Sequence, residues 1–143
     1  MPEPLITEIS IIPRSTDMDA DRNVNNAVYF TYFEQCRLEH LIRLGAIRWP
    51  LGPTERPQFA LVETSARFRA PAHHRDVLAV RTRTTDVRNR SFVLGYELVR
   101  TSDGTLICEG SSAQVWLDES GRPSVLPSDV RAALAGSMGA DPA

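Results

Sequence analysis

Residues 15–26, STDMDADRNVNN, gather three carboxylates, one arginine and three amides into twelve positions. Apolar sequence flanks them. LITEISIIP upstream alternates like a strand, and AVYFTYFEQCRLEHLIRLG downstream repeats like a helix. The end of a helix that such a junction would adjoin presents unpaired backbone N–H groups and a partial positive charge. An oxygen that gains negative charge during a reaction is stabilised there. Asp17, Asp19 and Asp21 lie just upstream, so a carboxylate can face a carbonyl from one side with N–H donors on the other. Acyl transfer needs this pairing of a nucleophile or general base with an oxyanion site. The same residue types also make turns and caps, which is the plain structural alternative. The DxDxD spacing lacks the glycine and distal glutamate of a calcium-binding loop, so no metal is expected.

The elements that must hold this junction follow from hydrophobic period and turn chemistry. Residues 5–12 form a strand with Leu5, Thr7, Ile9 and Ile11 on one face, ended by Pro13. A helix is predicted over 26–44, with Tyr29, Tyr32, Phe33, Cys36, His40, Leu41 and Leu44 as its apolar stripe. Asn25 or Asn26 is the expected N-cap, and Gly45 the expected C-cap. A Pro- and Gly-rich loop covers 46–57. Four strands follow, over 58–69, 76–87, 91–100 and 105–118, the last two joined through an Asp-Gly turn at TSDG. LPSDVRAALAG predicts a short helix with Ser128 as N-cap and Ala133 and Leu134 inward, and 136–143 reads as a frayed tail. Short links between successive strands permit antiparallel pairing, and one long helix must bury its stripe on that sheet. The fold class is α+β, an antiparallel sheet wrapped around a central helix, with residues 1–143 as a single domain.

Composition narrows the function. The 143 residues carry 16 basic and 18 acidic side chains, a net charge of −2, which argues against a nucleic-acid partner. Every basic residue other than histidine is arginine, so lysine-dependent amine chemistry is excluded. Cys36 and Cys108 are too far apart in sequence to suggest a zinc site or a disulfide framework, and both fall in element interiors. No apolar run spans a bilayer and the N-terminus carries no signal-like pattern, so no membrane association is expected and the cytoplasm is the default location.

DMDADRNVNNAVYFTYFEQCR resembles the hotdog-fold acyl-thioesterases, in particular the 4-hydroxybenzoyl-CoA thioesterase family. Asp17, Asp19, Val24, Asn25, Asn26, Tyr29, Phe33, Glu34 and Arg37 match its motif in register. The resemblance continues through RFRAPAHHRDVLAV and from VRNRSF to the Gly-Arg-Pro and Leu-Pro near the end, covering residues 5–130. It implies a cytoplasmic acyl-CoA thioesterase that needs no cofactor. Asp19 is its catalytic carboxylate, as nucleophile or general base, and the Asn26 N–H polarises the thioester carbonyl. Asp17 would then hold the loop.

The resemblance further implies substrate contacts from Asn23, Asn25 and Tyr29, and CoA phosphates near Arg88, Arg90 and Ser91. Arginine suits that task, since its planar fork can pair two phosphate oxygens. It also implies two copies joined edge to edge as a homodimer, or a homotetramer, with the site near the seam. Arg22 stands where the family has glycine, and Asn23 where it often has histidine. The alternatives are an acyl-carrier-protein thioesterase, from whose motif Asp21 and Asn23 depart, and a non-catalytic acyl-CoA-binding protein. His73 and His74 fall in the APAHH loop with no serine or cysteine nucleophile near them in sequence, and read as surface or turn residues.

Overall fold

The computed structural model describes residues 3–139. The chain runs β1 (Thr7–Ile11), a 3₁₀ turn (Ser15–Asp17), α1 (Val28–Arg43), β2 (Phe59–Phe68), β3 (Leu78–Val87), β4 (Ser91–Arg100), β5 (Leu106–Trp116) and α2 (Ser128–Ser137). The five strands form one antiparallel sheet in the order β1-β3-β4-β5-β2. This is the α+β arrangement expected from the sequence, a sheet curled around α1.

Strand alternation decides what α1 meets. Thr7 and Ile11 of β1, Leu78, Val80, Thr82 and Thr84 of β3, and Phe92, Leu94, Tyr96 and Leu98 of β4 are buried on the face towards the helices. Their neighbours Glu8, Arg81, Arg83 and Glu97 point to the other face and are not buried. From α1, Tyr29, Tyr32, Phe33, Cys36, His40 and Leu41 fill the space, the stripe read from the sequence. Phe33 stacks on Tyr96 with ring centroids 4.6 Å apart. Gly110 makes room for that stack, because a Cβ there would sit 2.7 Å from Phe33 Cε2.

Three boundaries differ from the sequence reading. α1 begins at Val28 rather than 26, because Asn25 closes a turn of its own: its carbonyl accepts the Val28 N–H at 2.9 Å and its side chain the Ala27 N–H at 3.0 Å. Ala27, not Asn25 or Asn26, occupies the N-cap position. α2 has Pro127 rather than Ser128 at its N-cap, with the Arg131 N–H donating to Pro127 O. The tail expected to fray from 136 is instead helix to Ser137, which is buried and whose carbonyl accepts the Leu5 N–H; residues 140–143 lie outside the described residues. At the end of α1 the expected stop holds. Gly45 at φ +69° lets its own N–H reach Ile42 O while the Ala46 N–H reaches Leu41 O, satisfying two terminal carbonyls.

A polar chain crosses this core. The His40 ring lies 2.8 Å from Thr7 Oγ1 and 3.0 Å from Thr84 Oγ1, and Ser137 donates to Thr84 Oγ1 at 2.8 Å, joining β1, α1, β3 and α2. Burial, helped by the nearby Arg43 charge, pushes the His40 pKa down to about 4. An unfolded chain binds the proton that the fold refuses, so stability is full above the ordinary histidine range and falls as pH drops towards 4. The loss should reach about 2 kcal/mol at pH 5. Urea midpoints at pH 7.5 and pH 5 measure it. His40→Gln should be less stable at pH 7.5 but lose clearly less on acidification.

Candidate active site

Asp17 is the fixed point of the junction. The 3₁₀ turn at 15–17 swings its side chain inward, where it is buried. Its carboxylate accepts from Tyr32 Oη at 2.7 Å, from the Arg14 N–H at 2.9 Å, and from the Arg14 guanidinium at 2.9 and 3.2 Å. Burial alone would push this carboxyl up. The Arg14 and Tyr32 hydrogen bonds outweigh it and hold the group below the usual carboxylate range. The Tyr32 phenol is pushed up in turn, by burial and then by the same bond. Asp17 also accepts the Asn25 N–H on its backbone carbonyl at 2.9 Å, so it holds both ends of the loop that the sequence assigned to it.

Between those ends the chain doubles back as a small ladder. Met18 pairs with Val24, and Asp19 donates its N–H to Asn23 O at 2.8 Å. Asn23 pairs in turn with His73, and the Val24 N–H donates to Ala72 O at 2.9 Å. Three short segments therefore lie side by side. In such a ladder, laterally paired residues share a face and successive residues alternate. Val24 and Ala72 are buried, so that row, with Met18, faces the core. The adjacent row, Asp19, Asn23 and His73, faces outward.

The Asp19 carboxylate is exposed. Its Oδ1 accepts the Asp21 and Asn23 N–H groups at 2.9 and 3.1 Å, and no hydrogen bond engages Oδ2 among the described residues. Arg22 takes φ +66°, so the turn keeps the left-handed residue that glycine would supply, at a strain of about 1–2 kcal/mol. Of the amides leading into α1, those of Asn25, Ala27 and Val28 are bonded within this junction. The Asn26 N–H has no partner among the described residues. A fixed carboxylate with one oxygen open and an unspent N–H at the head of a helix are the two parts that acyl transfer needs.

Tyr29 is placed differently from a simple ligand contact. It is packed in the core against Tyr32 and Phe68, with ring centroids 6.1 and 5.7 Å away, and is almost fully buried. Arg88, Arg90 and Ser91 are not near Asp19 within one chain. They turn the corner between β3 and β4, whereas the loop of Asp19 sits at the opposite end of those strands. Ten residues of β3 separate the two places by roughly 30 Å. Arg88 pairs with Asp86 at 2.9 Å, and Arg90 is exposed. Arg131 of α2 clamps the corner by donating to the carbonyls of Arg88 and Asn89 at 3.0 and 2.8 Å.

Two open grooves lie elsewhere. One of about 580 Å³ runs over the helix-free face of the sheet beside Arg67, Arg81 and Arg83. Another of about 560 Å³ lies between the 48–58 loop and residues 116–127. Neither is lined by residues 17–29.

Sequence reasoning passed over the contacts of Arg14, Tyr32 and Arg131 and the pairing of His73 with Asn23. Those of Tyr32, Arg131 and His73 reach partners distant in sequence, which no local pattern marks, and Arg14 meets Asp17, three residues on, through the 3₁₀ turn.

A family model described as the Thioesterase-like superfamily matches residues 13–134. The chain belongs to that superfamily. Among curated proteins it is similar to the chloroplastic acyl-acyl carrier protein thioesterase ATL3 of Arabidopsis thaliana, 27% identical over 124 residues. That match takes in 87% of this chain and 65% of the relative, so the chain spans somewhat under two thirds of it. Among solved structures it is similar to a predicted thioesterase from Bacillus stearothermophilus (TM-score 0.83, 21% identity, 94% of this chain and 97% of that one). It is also similar to a thioesterase of Thermus thermophilus complexed with coenzyme A and Zn (TM-score 0.79, 24% identity, 92% and 93%). At these identities the structural likenesses speak for the fold.

The two neighbouring aspartates of this superfamily member should separate cleanly in a stability assay. Asp17→Asn loses charge-assisted bonds in a buried setting and should cost about 2 kcal/mol. The Arg14 side chain is 74% exposed, so its share is small and the Tyr32 and backbone bonds dominate. Asp19→Asn should shift the thermal midpoint little. Equal shifts in the two variants would contradict the anchoring role of Asp17.

Proposed function

We propose that this chain hydrolyses an acyl-CoA thioester to the free acid and CoA, as the resemblance to the 4-hydroxybenzoyl-CoA thioesterases implies. The observation that carries the reading is the outward Asp19 carboxylate, held by two amides, together with the open N–H of Asn26. The thioester carbonyl oxygen accepts from Asn26, and Asp19 either attacks the carbonyl carbon or deprotonates the attacking water. Membership in the Thioesterase-like superfamily supports the reaction class. The CoA complex of the Thermus relative supports the carrier.

Hydrolysis of an acyl-CoA panel, from short branched through aromatic to long-chain, with detection of free thiol, tests the reaction. Asp19→Asn should lower turnover by roughly 10²–10⁴ with much of the binding retained. Asp21→Asn should lose far less. Full activity in the Asp19 variant would remove the mechanism. A second reading, a thioesterase of acyl-carrier-protein, is favoured by the likeness to the Arabidopsis acyl-acyl carrier protein thioesterases. Offering the same acyl group on CoA and on a carrier protein separates the two.

We further propose that the working unit pairs two copies through β2. This strand is one edge of the sheet and leaves Leu61, Val62 and Phe68 exposed along it. Antiparallel pairing of two β2 edges about a two-fold axis would set the Phe59 end of one strand beside the Phe68 end of the other. The Phe59 end lies with the Arg88–Ser91 corner, and the Phe68 end with Tyr29 and the loop of Asp19. The two halves of the expected site, far apart in one chain, would then meet across the seam.

Solution mass should be at least twice the 15.9 kDa of the chain. Arg88→Ala with Arg90→Ala should raise KM for acyl-CoA by about tenfold or more, with a smaller change in kcat. An acyl-pantetheine lacking the nucleotide should be nearly indifferent to the pair. Equal losses on both substrates would refute the phosphate role.

A further inference from the structure

The third member of the outward row has no part in the reaction as proposed above. His73 lies laterally beside Asn23, which lies beside Asp19. Adjacent segments of such a ladder are about 4.8 Å apart, so the backbones of Asp19 and His73 stand roughly 10 Å from each other. The three residues share the outward face of the ladder, with Asn23 between the other two. That gap suits a thioester linkage held with its carbonyl carbon near one side chain and its sulfur near the other.

The surroundings of the imidazole are built rather than loose. The His73 N–H donates to Asp76 Oδ2 at 2.8 Å, and His73 Nδ1 lies 3.7 Å from the same oxygen. Arg100 fixes that carboxylate through an Nε bond of 3.1 Å and ties the segment down again through Pro71 O at 2.7 Å. Asp76 thus holds the His73 backbone and lies on the Nδ1 side of the ring, while Nε2, at the far edge, has no hydrogen-bond partner among the described residues. Arg75, two residues on, sits at φ +71° and turns the chain back so that Asp76 can reach His73. The His73 side chain is 53% exposed, so a substrate can approach it.

We propose that His73 is a further catalytic residue, the acid that gives a proton to the departing thiolate sulfur. The proposal rests on the thioesterase reading of Asp19. Water attacks the carbonyl carbon while Asp19 takes one of its protons, and the carbonyl electron pair moves onto the oxygen facing Asn26. When the tetrahedral intermediate collapses, the C–S bond breaks and the imidazolium of His73 protonates the sulfur. Acid, thiol, neutral imidazole and protonated Asp19 result. Both groups are exposed, so solvent carries the proton from Asp19 back to His73, which restores both. If Asp19 instead attacks directly, the same proton meets the same sulfur.

The test varies the leaving thiol at constant acyl group. A CoA thioester leaves as a basic alkyl thiolate that gains from an acid, whereas a 4-nitrothiophenyl thioester leaves readily without one. His73→Asn should lose roughly 10–100-fold in kcat/KM on the CoA thioester, the low end of general acid catalysis because thiolates depart easily. On the nitrothiophenyl thioester it should lose less than about threefold. Asp19→Asn should lose heavily on both, so a failure of the basic reading shows separately. His74→Asn, the neighbouring imidazole, should show no leaving-group dependence. Equal loss of His73→Asn on the two substrates, no loss on the CoA thioester, or the same selective pattern in His74→Asn would each overturn the proposal.

Discussion

A single buried carboxylate organises this protein's polar junction. Asp17 is turned inward by the 3₁₀ turn and bonded to Tyr32 of α1, so the junction is pinned to the helix that fills the sheet. Its carbonyl takes the Asn25 N–H and closes the loop upon itself. Burying a carboxylate is costly unless every oxygen finds a donor, and here Arg14 and Tyr32 provide them. Everything outward of Asp17 inherits its place. The ladder of 18–19, 23–24 and 72–73 can present Asp19 to solvent because Met18, Val24 and Ala72 are held against the core behind it.

The length of the sheet is the second constraint. Ten-residue strands separate the Asp19 loop from the Arg88–Ser91 corner, so no side chain in one chain spans both. Within one chain the two places stay apart, and only the pairing of two β2 edges proposed above would bring them together. The edge at β2 carries exposed apolar side chains, unlike the short five-residue edge of β1. Of the two grooves, one runs over the helix-free face, while the one beside the 48–58 loop is lined by Trp116, whose N–H donates to Arg90 O, and so borders the Arg88–Ser91 corner.

Much of this was legible in the sequence, for identifiable reasons. Strand alternation in SFVLGYELVR and the three–four spacing of Tyr29, Tyr32, Phe33 and Cys36 are local signals, and burial obeys them. That Asp17 is buried and Asp19 exposed could not be read from spacing, which leaves two equivalent carboxylates, and only the family motif set Asp17 apart as the one that holds the loop. What separates them is a 3₁₀ turn whose sequence, STD, has no strong signature. The start of α1 slipped by two residues because Asn25 spends both its carbonyl and its side chain on a turn before the helix. The sequence read His73 only as a surface or turn residue. Its pairing with Asn23 joins positions fifty apart within the chain, and no periodicity records such a neighbour. Arg22 shows the opposite case, an arginine in place of glycine that still takes the left-handed conformation, at a modest cost in strain.

The two rows of the ladder differ by one residue in phase. This sets what the segment can tolerate over evolutionary time. Residue type is free to change in the turn between the paired stretches, as the arginine at 22 illustrates. Segment length is not. Adding or deleting a single residue between Met18 and Val24, or just before Ala72, would exchange the faces of that segment, turning polar groups into the core and apolar ones into water. Diversification of this loop is therefore confined to substitution, with its spacing kept as strictly as the reading frame of a gene.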